Sequence, residues 1–244
     1  DHQLADGLGH AVGGPGFEAG HVGDGFGHTV AAEDGDMAGQ VERALAASLK
    51  RLGMERIDLL QAALLISILD GEDIDLNAYL AQVDRMADDI RQTLDKKASG
   101  SDTLEAMDKY LFKDNGFHGS RFDYYHRANS YLNRVLETRT GIPITLSLIF
   151  LEVARRMGLK CSGIGLPGHF IVGLDDTGEY LDPFNSGILL SAEDCGALVQ
   201  RLFGGQLEWT DRFLAPYTKG DILFRVLNNL KSVYMQSKGY TKAV

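Results

Sequence analysis

Two residues in the second half of the chain, His169 and Asp182, have the types and the order of a proton-transfer pair. Each stands in a short apolar segment with the period of a β-strand, and a turn-forming segment separates the two. A carboxylate that orients an imidazole allows the His to take a proton from a nucleophile. Gly168, directly before the His, allows close approach of a ligand and is a candidate binding residue. The alternative is a buried His–Asp hydrogen bond that only holds two strands in register.

A second group of polar side chains precedes the central helix of the sequence. Asn133 and Glu137 are four residues apart and therefore share one face of a helix predicted over 128–138. Together with Asn129 and Arg139 they form a candidate binding cluster. Helix capping and internal ion pairing explain the same residue types equally well, so both interpretations stay open.

The composition argues against several classes of function. A net charge of −10 over 244 residues is unsuited to a nucleic-acid surface, and no apolar run is long enough to span a membrane. Cys161 and Cys195 form neither a disulfide framework nor a zinc-binding spacing, which favours a cytoplasmic protein. A metal site built from His118, His126 and His169 has no supporting spacing. We therefore expect no cofactor.

The apolar pattern predicts an α+β fold that is mostly helical. A central helix over 142–157 has Pro143 in its first turn, with Thr140 or Gly141 as its cap, and it ends at Gly158. The period then changes to two, which predicts a small antiparallel sheet packed on that helix. The predicted strands are 161–166, 169–174 and 179–181, and other helices are predicted over 58–69 and 76–94, after Ser101, and after the capping sequences at 191–194 and 218–221.

The organisation along the chain divides into four parts. Residues 1–36 hold seven acidic residues, ten Gly and no Lys or Arg, and this composition predicts a disordered leader. An N-terminal helical region over 37–112 and a core over 113–215 follow. The C-terminal part, 216–244, is predicted to begin a helical hairpin.

Three linked segments resemble one known family, the bacterial SirB-type transglutaminase-like proteins. The segments are 129–148, 165–170 and 181–185, and the similarity extends from about residue 58 to the C-terminus. The resemblance implies a transglutaminase-like, or papain-like, core. Asn185 closes the third segment and joins the candidate binding residues. Members of the family often continue into tetratricopeptide repeats, which the segment 219–244 resembles, and the family name implies a regulatory role.

The same resemblance implies that the nucleophile is missing. Transglutaminase-like cores open the central helix with Gly-x-Cys and close it with Arg-x-x-Gly. Matching 155–158 to the closing motif puts Pro143 at the position of the Cys, and proline cannot supply a thiolate. Ser147 lies one turn deeper on the same face and is the candidate replacement, although a small residue for close packing is the alternative. Thr145 faces elsewhere, and the two cysteines resemble small apolar core residues.

These observations lead to two hypotheses about function. The first is a degenerate transglutaminase-like protein without the nucleophilic Cys, which acts as a protein- or peptide-binding regulatory module. The alternative is an amide hydrolase or acyltransferase with a relocated nucleophile. In that enzyme His169 would be the base, Asp182 would orient it, and Ser147 would attack the substrate.

Overall fold

The computed structural model describes residues 58–70 and 73–236, so the predicted leader and the segment 237–244 lie outside the described residues. Local sequence signals explain most of the helix boundaries, and the predictions for 191–194 and 218–221 are confirmed by reciprocal capping bonds. The helices are α1 (Leu59–Ile66), α2 (Leu76–Thr93), α3 (Gly100–Asp108), α4 (Leu132–Thr138), α5 (Pro143–Met157), α6 (Ala192–Leu202) and α7 (Lys219–Gln236).

The start of α3 differs from the prediction. Ser99, not Ser101, is the N-cap, because its hydroxyl accepts a hydrogen bond from the backbone of Asp102 at 3.1 Å. The Asp102 carboxylate accepts in return from the backbone N–H of Ser99 at 2.7 Å. This reciprocal pair satisfies two donors at once, which a cap at Ser101 would not do. A π-helical turn, Lys109–Asp114, extends the helix.

The central helix α5 is held at its N-terminus by a buried hydroxyl. Thr145 accepts a hydrogen bond from the N–H of Ile142 at 3.1 Å and lies 2.9 Å from the carbonyl oxygen of Asn129. Ile142 is the N-cap, so the prediction of Thr140 or Gly141 was wrong. Those two residues instead form strand β2 (Thr140–Gly141), which pairs in parallel with β1 (His118–Gly119).

A four-stranded antiparallel sheet follows α5, in the order β3-β4-β5-β6. Its strands are β3 (Cys161–Ile164), β4 (Ile171–Leu174), β5 (Glu179–Asp182) and β6 (Ile188–Leu190). The prediction of a small antiparallel sheet is confirmed, with two differences. His169 lies in the turn before β4 and not within the strand. The short strand β6 was missed, and it pairs with β5 so that Ile188 lies opposite Asp182.

Two apolar clusters lie on opposite faces of the sheet. Phe170, Val172 and Leu181 join α5 in the larger core, whereas Ile164 and Ile171 join Val199 of α6 in the smaller one. This alternation is the period of two expected for strands that are buried on both faces. The apolar face of α7 also enters the larger core, through Ile222, Leu223, Val226 and Leu230.

The structure is therefore an α+β fold with one central helix beneath a small sheet, as the sequence predicted. Over residues 58–70 and 73–236, no helix combines the length and the apolar character needed to cross a bilayer.

Candidate functional site

A tight turn presents His169 at the edge of the sheet. The backbone N–H of His169 donates to the carbonyl oxygen of Leu166 at 3.1 Å. Pro167 occupies the second position and Gly168, with φ of 70°, the third, which is the pattern of a type II turn. A Cβ on Gly168 would also lie 3.3 Å from Cε2 of Phe203. The turn conformation thus requires glycine, and the ligand contact of Gly168 stays a prediction.

Asp182 ends β5 and is completely buried. Its Oδ2 lies 2.8 Å from Nε2 of His169 and 2.7 Å from Nδ2 of Asn185. Its Oδ1 accepts from the backbone N–H groups of Phe184 at 3.0 Å and Asn185 at 3.3 Å. Four donors therefore converge on one carboxylate, which is the arrangement that stabilises its ionised form.

The charge state of Asp182 follows from two opposing effects. Burial raises its pKa, but the hydrogen bond and charge of His169, with the hydrogen bonds from Asn185, outweigh burial and hold the pKa below its ordinary value. An ionised Asp182 can only accept, so the proton of a neutral His169 resides on Nε2. The lone pair on Nδ1 then remains for another partner.

The surroundings of His169 fix its orientation. The imidazole is 7% exposed, and the Phe184 ring meets it edge to face with centroids 5.8 Å apart. From α7, the Nη2 group of Arg225 donates to the carbonyl oxygens of Leu166 at 3.2 Å and His169 at 3.4 Å. Among the described residues, none forms a hydrogen bond with Nδ1 of His169. The dyad of His169 and Asp182 is thus held in place by Phe184 and Arg225, and within the described residues Nδ1 of His169 is an acceptor without a partner.

Asn185 links the dyad to the loop after β1. Its Oδ1 accepts from Nη2 of Arg121 at 2.8 Å, while its Nδ2 donates to Asp182. Asn185 therefore positions Asp182 here, and its predicted role in binding a ligand is not tested by these contacts. Phe184 packs so closely on Gly119 that a Cβ there would lie 2.5 Å from Cδ2 of the ring. Strand β1 thus supports the turn that follows Asp182.

Among the described residues, the hydroxyl of Ser147 has a partner other than His169 and Asp182. Ser147 is completely buried, and its hydroxyl donates to the carbonyl oxygen of Phe170 at 3.4 Å. Thr145 is equally enclosed and bonded to the backbone at the start of α5. Within the described part of the chain, neither hydroxyl forms a hydrogen bond with His169. The catalytic role predicted for Ser147 stays a prediction without this contact.

Both cysteines lie in environments that disfavour a thiolate. Burial raises the pKa of Cys161 to about 12, and the charges of Asp175 and Asp176 add to the rise. Burial likewise raises the pKa of Cys195 to about 12. A reactive cysteine needs the opposite effect, a pKa lowered by a nearby cation or helix N-terminus. Neither thiol has the electrostatics of a nucleophile.

The predicted polar cluster is divided between separate contacts. Asn129 donates to the carbonyl oxygen of Asp123 at 2.6 Å, and so ties the 120–126 loop to the start of α5. Glu137 accepts from the hydroxyl of Tyr79 on α2 and pairs with Arg134 at 3.0 Å. These contacts lie within the fold, as expected if the cluster serves internal hydrogen bonding and ion pairing.

The other two members of that cluster are also engaged within the fold or enclosed by it. Arg139 adopts the left-handed conformation that ends α4, with φ of 62°, and its guanidinium lies 4.7 Å from the ring centroid of Phe117. Asn133 is 2% exposed, and its Oδ1 has no hydrogen-bond partner among the residues the structure describes. The binding roles of all four residues remain predictions.

A metal site is not formed by the His residues considered from the sequence. His118 contacts the carbonyl oxygen of Gly116 at 2.9 Å, and His126 accepts from the N–H of Ala128 at 3.3 Å. Over the described ranges, no group of three or more His, Cys, Asp or Glu side chains is arranged to hold a metal ion.

Sequence reasoning missed Arg225 and Phe184. Arg225 is the single charged residue within the apolar run 222–227, and this interruption was the available signal. Phe184 lies inside the third resemblance segment, but its contact with His169 depends on the turn after β5. Both residues act on His169 through long-range contacts, which local patterns do not report.

The stabilising contribution of Asp182 is expected to disappear in acid. The pKa of Asp182 is lower in the folded protein than in the unfolded chain. Its contribution to the free energy of unfolding is therefore fully present above the unfolded carboxyl pKa of about 3.9. The contribution is lost as the pH falls through the lower pKa of the folded state. The difference in free energy of unfolding between wild type and Asp182→Asn should therefore shrink below about pH 4. Urea unfolding followed by circular dichroism measures it. A difference that persists undiminished in stronger acid would contradict the assignment.

Comparisons with known proteins agree with this architecture. A UPF0162 protein of Xylella fastidiosa (strain 9a5c) is 38% identical over 202 residues, which cover 80% of this chain and 72% of the relative. A UPF0162 protein of Pseudomonas aeruginosa is 29% identical over 155 residues, which cover 64% of this chain and 57% of the relative. Human F-box only protein 21 is 35% identical over 109 residues, which cover 41% of this chain and 17% of the human protein. No solved structure matches. The model of the transglutaminase-like superfamily matches residues 77–228, and the chain therefore belongs to that superfamily.

Proposed function

We propose that this chain is a transglutaminase-like protein of the SirB type that has lost its nucleophile and binds a protein or peptide segment at the His169–Asp182 site. In this proposal the domain is a regulatory module of the bacterial cytoplasm, and tetratricopeptide repeats that follow it would supply a second partner-binding unit. The dyad serves recognition and not acyl transfer.

One observation carries the proposal: the His169–Asp182 hydrogen bond is formed, yet among the described residues no hydroxyl or thiol forms a hydrogen bond with His169. His169 and Asp182 are 2.8 Å apart and buried. In the described residues, the hydroxyl of Ser147 is bonded to a backbone carbonyl instead of to His169. Pro143 occupies the first position of α5, where the resemblance puts the Cys. Without a hydroxyl or thiol to deprotonate, His169 cannot act as the base of a Ser- or Cys-type mechanism, but its Nδ1 can accept a hydrogen bond from a ligand.

The surface around the site supports a protein or peptide ligand. Phe122 is fully exposed and Tyr125 is 46% exposed. Tyr125 contacts Tyr124, which in turn contacts Phe184 beside His169, with ring centroids 5.2 and 6.1 Å apart. Exposed aromatic side chains next to a polar site are typical of interaction surfaces. The ring contacts from Phe184 through Tyr124 to Tyr125 extend the apolar surface outward from His169.

The alternative function is an amide hydrolase or acyltransferase with a relocated nucleophile. The oriented His169–Asp182 pair favours it, since the same hydrogen bond organises the base of a catalytic triad. It requires Ser147 or another residue to leave its present contacts and reach Nδ1 of His169.

A binding and turnover experiment separates the two functions. Fluorescein-labelled β-casein is titrated with the full chain and followed by anisotropy, and the same mixture is assayed for cleavage and for incorporation of dansylcadaverine. We expect saturable binding that weakens at least tenfold in His169→Ala, a loss of the size of one hydrogen bond to a buried group, about 1.4 kcal/mol. No product should form.

The control is His118→Ala, which removes an exposed imidazole outside the dyad. It should bind casein as the wild type does. Product that forms with wild type and disappears in His169→Ala would overturn the proposal and establish the enzyme. Absence of casein binding, or binding that is indifferent to His169→Ala, would also count against the proposed role of the dyad.

A further inference from the structure

Arg225 is held beside His169 with part of its guanidinium unused. Its Nη2 group donates to the carbonyl oxygens of Leu166 and His169. Across residues 58–70 and 73–236, Nε and Nη1 have no hydrogen-bond partner. Arginine carries its donors in a rigid plane, so the bonds through Nη2 also fix the direction of the remaining N–H groups. The two carbonyl oxygens orient the guanidinium of Arg225 but do not neutralise its positive charge.

The charge of Arg225 has no acidic partner within the described residues, although the side chain is half-buried. Arg156 is also half-buried, but its guanidinium is paired with two carboxylates, Glu152 at 2.7 Å and Asp84 at 2.5 Å. Asp182 is not such a partner for Arg225, because four other donors already occupy its oxygens. A half-buried cation without a counter-ion is costly, and an anionic ligand would remove that cost.

Tyr124 provides a second donor on the same side of the site. Its ring packs on Phe184, which packs on His169, so that the three rings form a continuous wall. Burial raises the pKa of Tyr124 to about 12, against the opposing charge of Arg225, so the phenol keeps its proton at neutral pH. In the part of the chain that the structure describes, no residue forms a hydrogen bond with this hydroxyl. It remains available to a ligand.

We propose that Arg225 and Tyr124 bind a carboxylate, and that Nδ1 of His169 accepts a hydrogen bond from the amide N–H next to it. The carboxylate is either the C-terminus of a peptide or the side chain of an acidic residue. A charge-assisted hydrogen bond from a free N–H of Arg225 and one from the Tyr124 hydroxyl can each reach an oxygen of the same carboxylate. This inference rests on the proposed function, because it names the chemical group that the binding site recognises.

Nuclear magnetic resonance of the full 244-residue chain tests it. The ¹⁵N signals of the His169 ring and of Nε of Arg225 are followed during titration with acetyl-Ala-Ala-Ala. The same peptide as its C-terminal amide is the matched control, and acetyl-Ala-Asp-Ala-amide tests an acidic side chain. We expect saturable shifts with one or both acids, which identifies the source of the carboxylate, and none with the uncharged amide. Equal shifts with the amide, or no saturable shift with either acid, would overturn the inference.

Variants separate recognition from folding. Arg225→Gln should weaken binding of the acid at least tenfold, while Arg201→Gln, the same change at an exposed position of α6, should not alter it. If Arg225→Gln loosens the turn, Tyr124→Phe keeps the ring and removes only the hydroxyl, and we expect a several-fold loss. Unchanged affinity in both Arg225→Gln and Tyr124→Phe would contradict the assignment. His169-dependent turnover would instead refute the proposed function, so the two failures are distinguishable.

Discussion

Replacing Asp182 by alanine is expected to lower the free energy of unfolding by about 3–5 kcal/mol. The carboxylate is completely buried and accepts four hydrogen bonds, two from backbone N–H groups and two from the side chains of His169 and Asn185. Its removal leaves those donors without a partner in a site that water enters poorly, and their desolvation is then uncompensated. Urea unfolding at neutral pH, followed by circular dichroism, measures the loss.

A matched substitution shows whether burial or merely the loss of a hydrogen bond is responsible. Asp221→Ala removes a carboxylate that accepts from the backbone of Thr218 at the exposed start of α7. Loss of such a capping interaction costs about 1 kcal/mol. An Asp182→Ala protein no less stable than Asp221→Ala would show that the dyad does not organise this end of the sheet.

Replacing Gly119 by alanine is expected to destabilise the fold by about 2–3 kcal/mol and to disturb the dyad. The added Cβ would lie 2.5 Å from Cδ2 of Phe184 and 2.6 Å from its carbonyl oxygen, so that the turn Pro183–Asn185 must move. Since that turn carries three donors to Asp182, the ¹⁵N signals of the His169 ring should shift. Urea unfolding and the ring spectrum measure both effects.

Gly100→Ala is the control for Gly119→Ala. A Cβ on Gly100 would meet only Cδ2 of Leu159, at the ordinary distance of 3.8 Å. Gly100 also begins α3, where alanine suits the helix at least as well as glycine. We expect no loss of stability there. A Gly119→Ala protein as stable as Gly100→Ala, with an unchanged His169 spectrum, would contradict the role given to β1.

The sequence predicted the elements whose signals are local. The central helix, its end at Gly158 and the capping sequences at Ser191 and Thr218 depend on residues within a few positions of one another. The cap of α5 was wrong because Thr140 and Gly141 pair with a strand more than twenty residues earlier. Strand β6 was missed because three residues carry too little periodicity.

The candidate site divides in the same way. His169 and Asp182 were predicted as a pair because the strands that carry them are neighbours along the chain, joined by one hairpin. The contact of Arg225 with the His169 turn joins residues about sixty positions apart, which a local pattern does not predict. Glu137 was assigned to the candidate binding cluster by its helix face, but its partners are Tyr79 on α2 and Arg134. A shared helix face does not identify what that face contacts.

The most direct test of the central claim, a dyad without a nucleophile, is intact mass after exposure to two reactive probes. A fluorophosphonate reports activated hydroxyls, and iodoacetamide reports thiolates. Wild type and His169→Ala are compared, and protein unfolded in urea shows that both cysteines of the chain can react. We predict no His169-dependent adduct on folded wild type, because Ser147 is buried and bonded elsewhere and burial raises the pKa of both thiols to about 12. An adduct on Ser147, Thr145 or Cys161 that disappears in His169→Ala would contradict the account and identify the nucleophile.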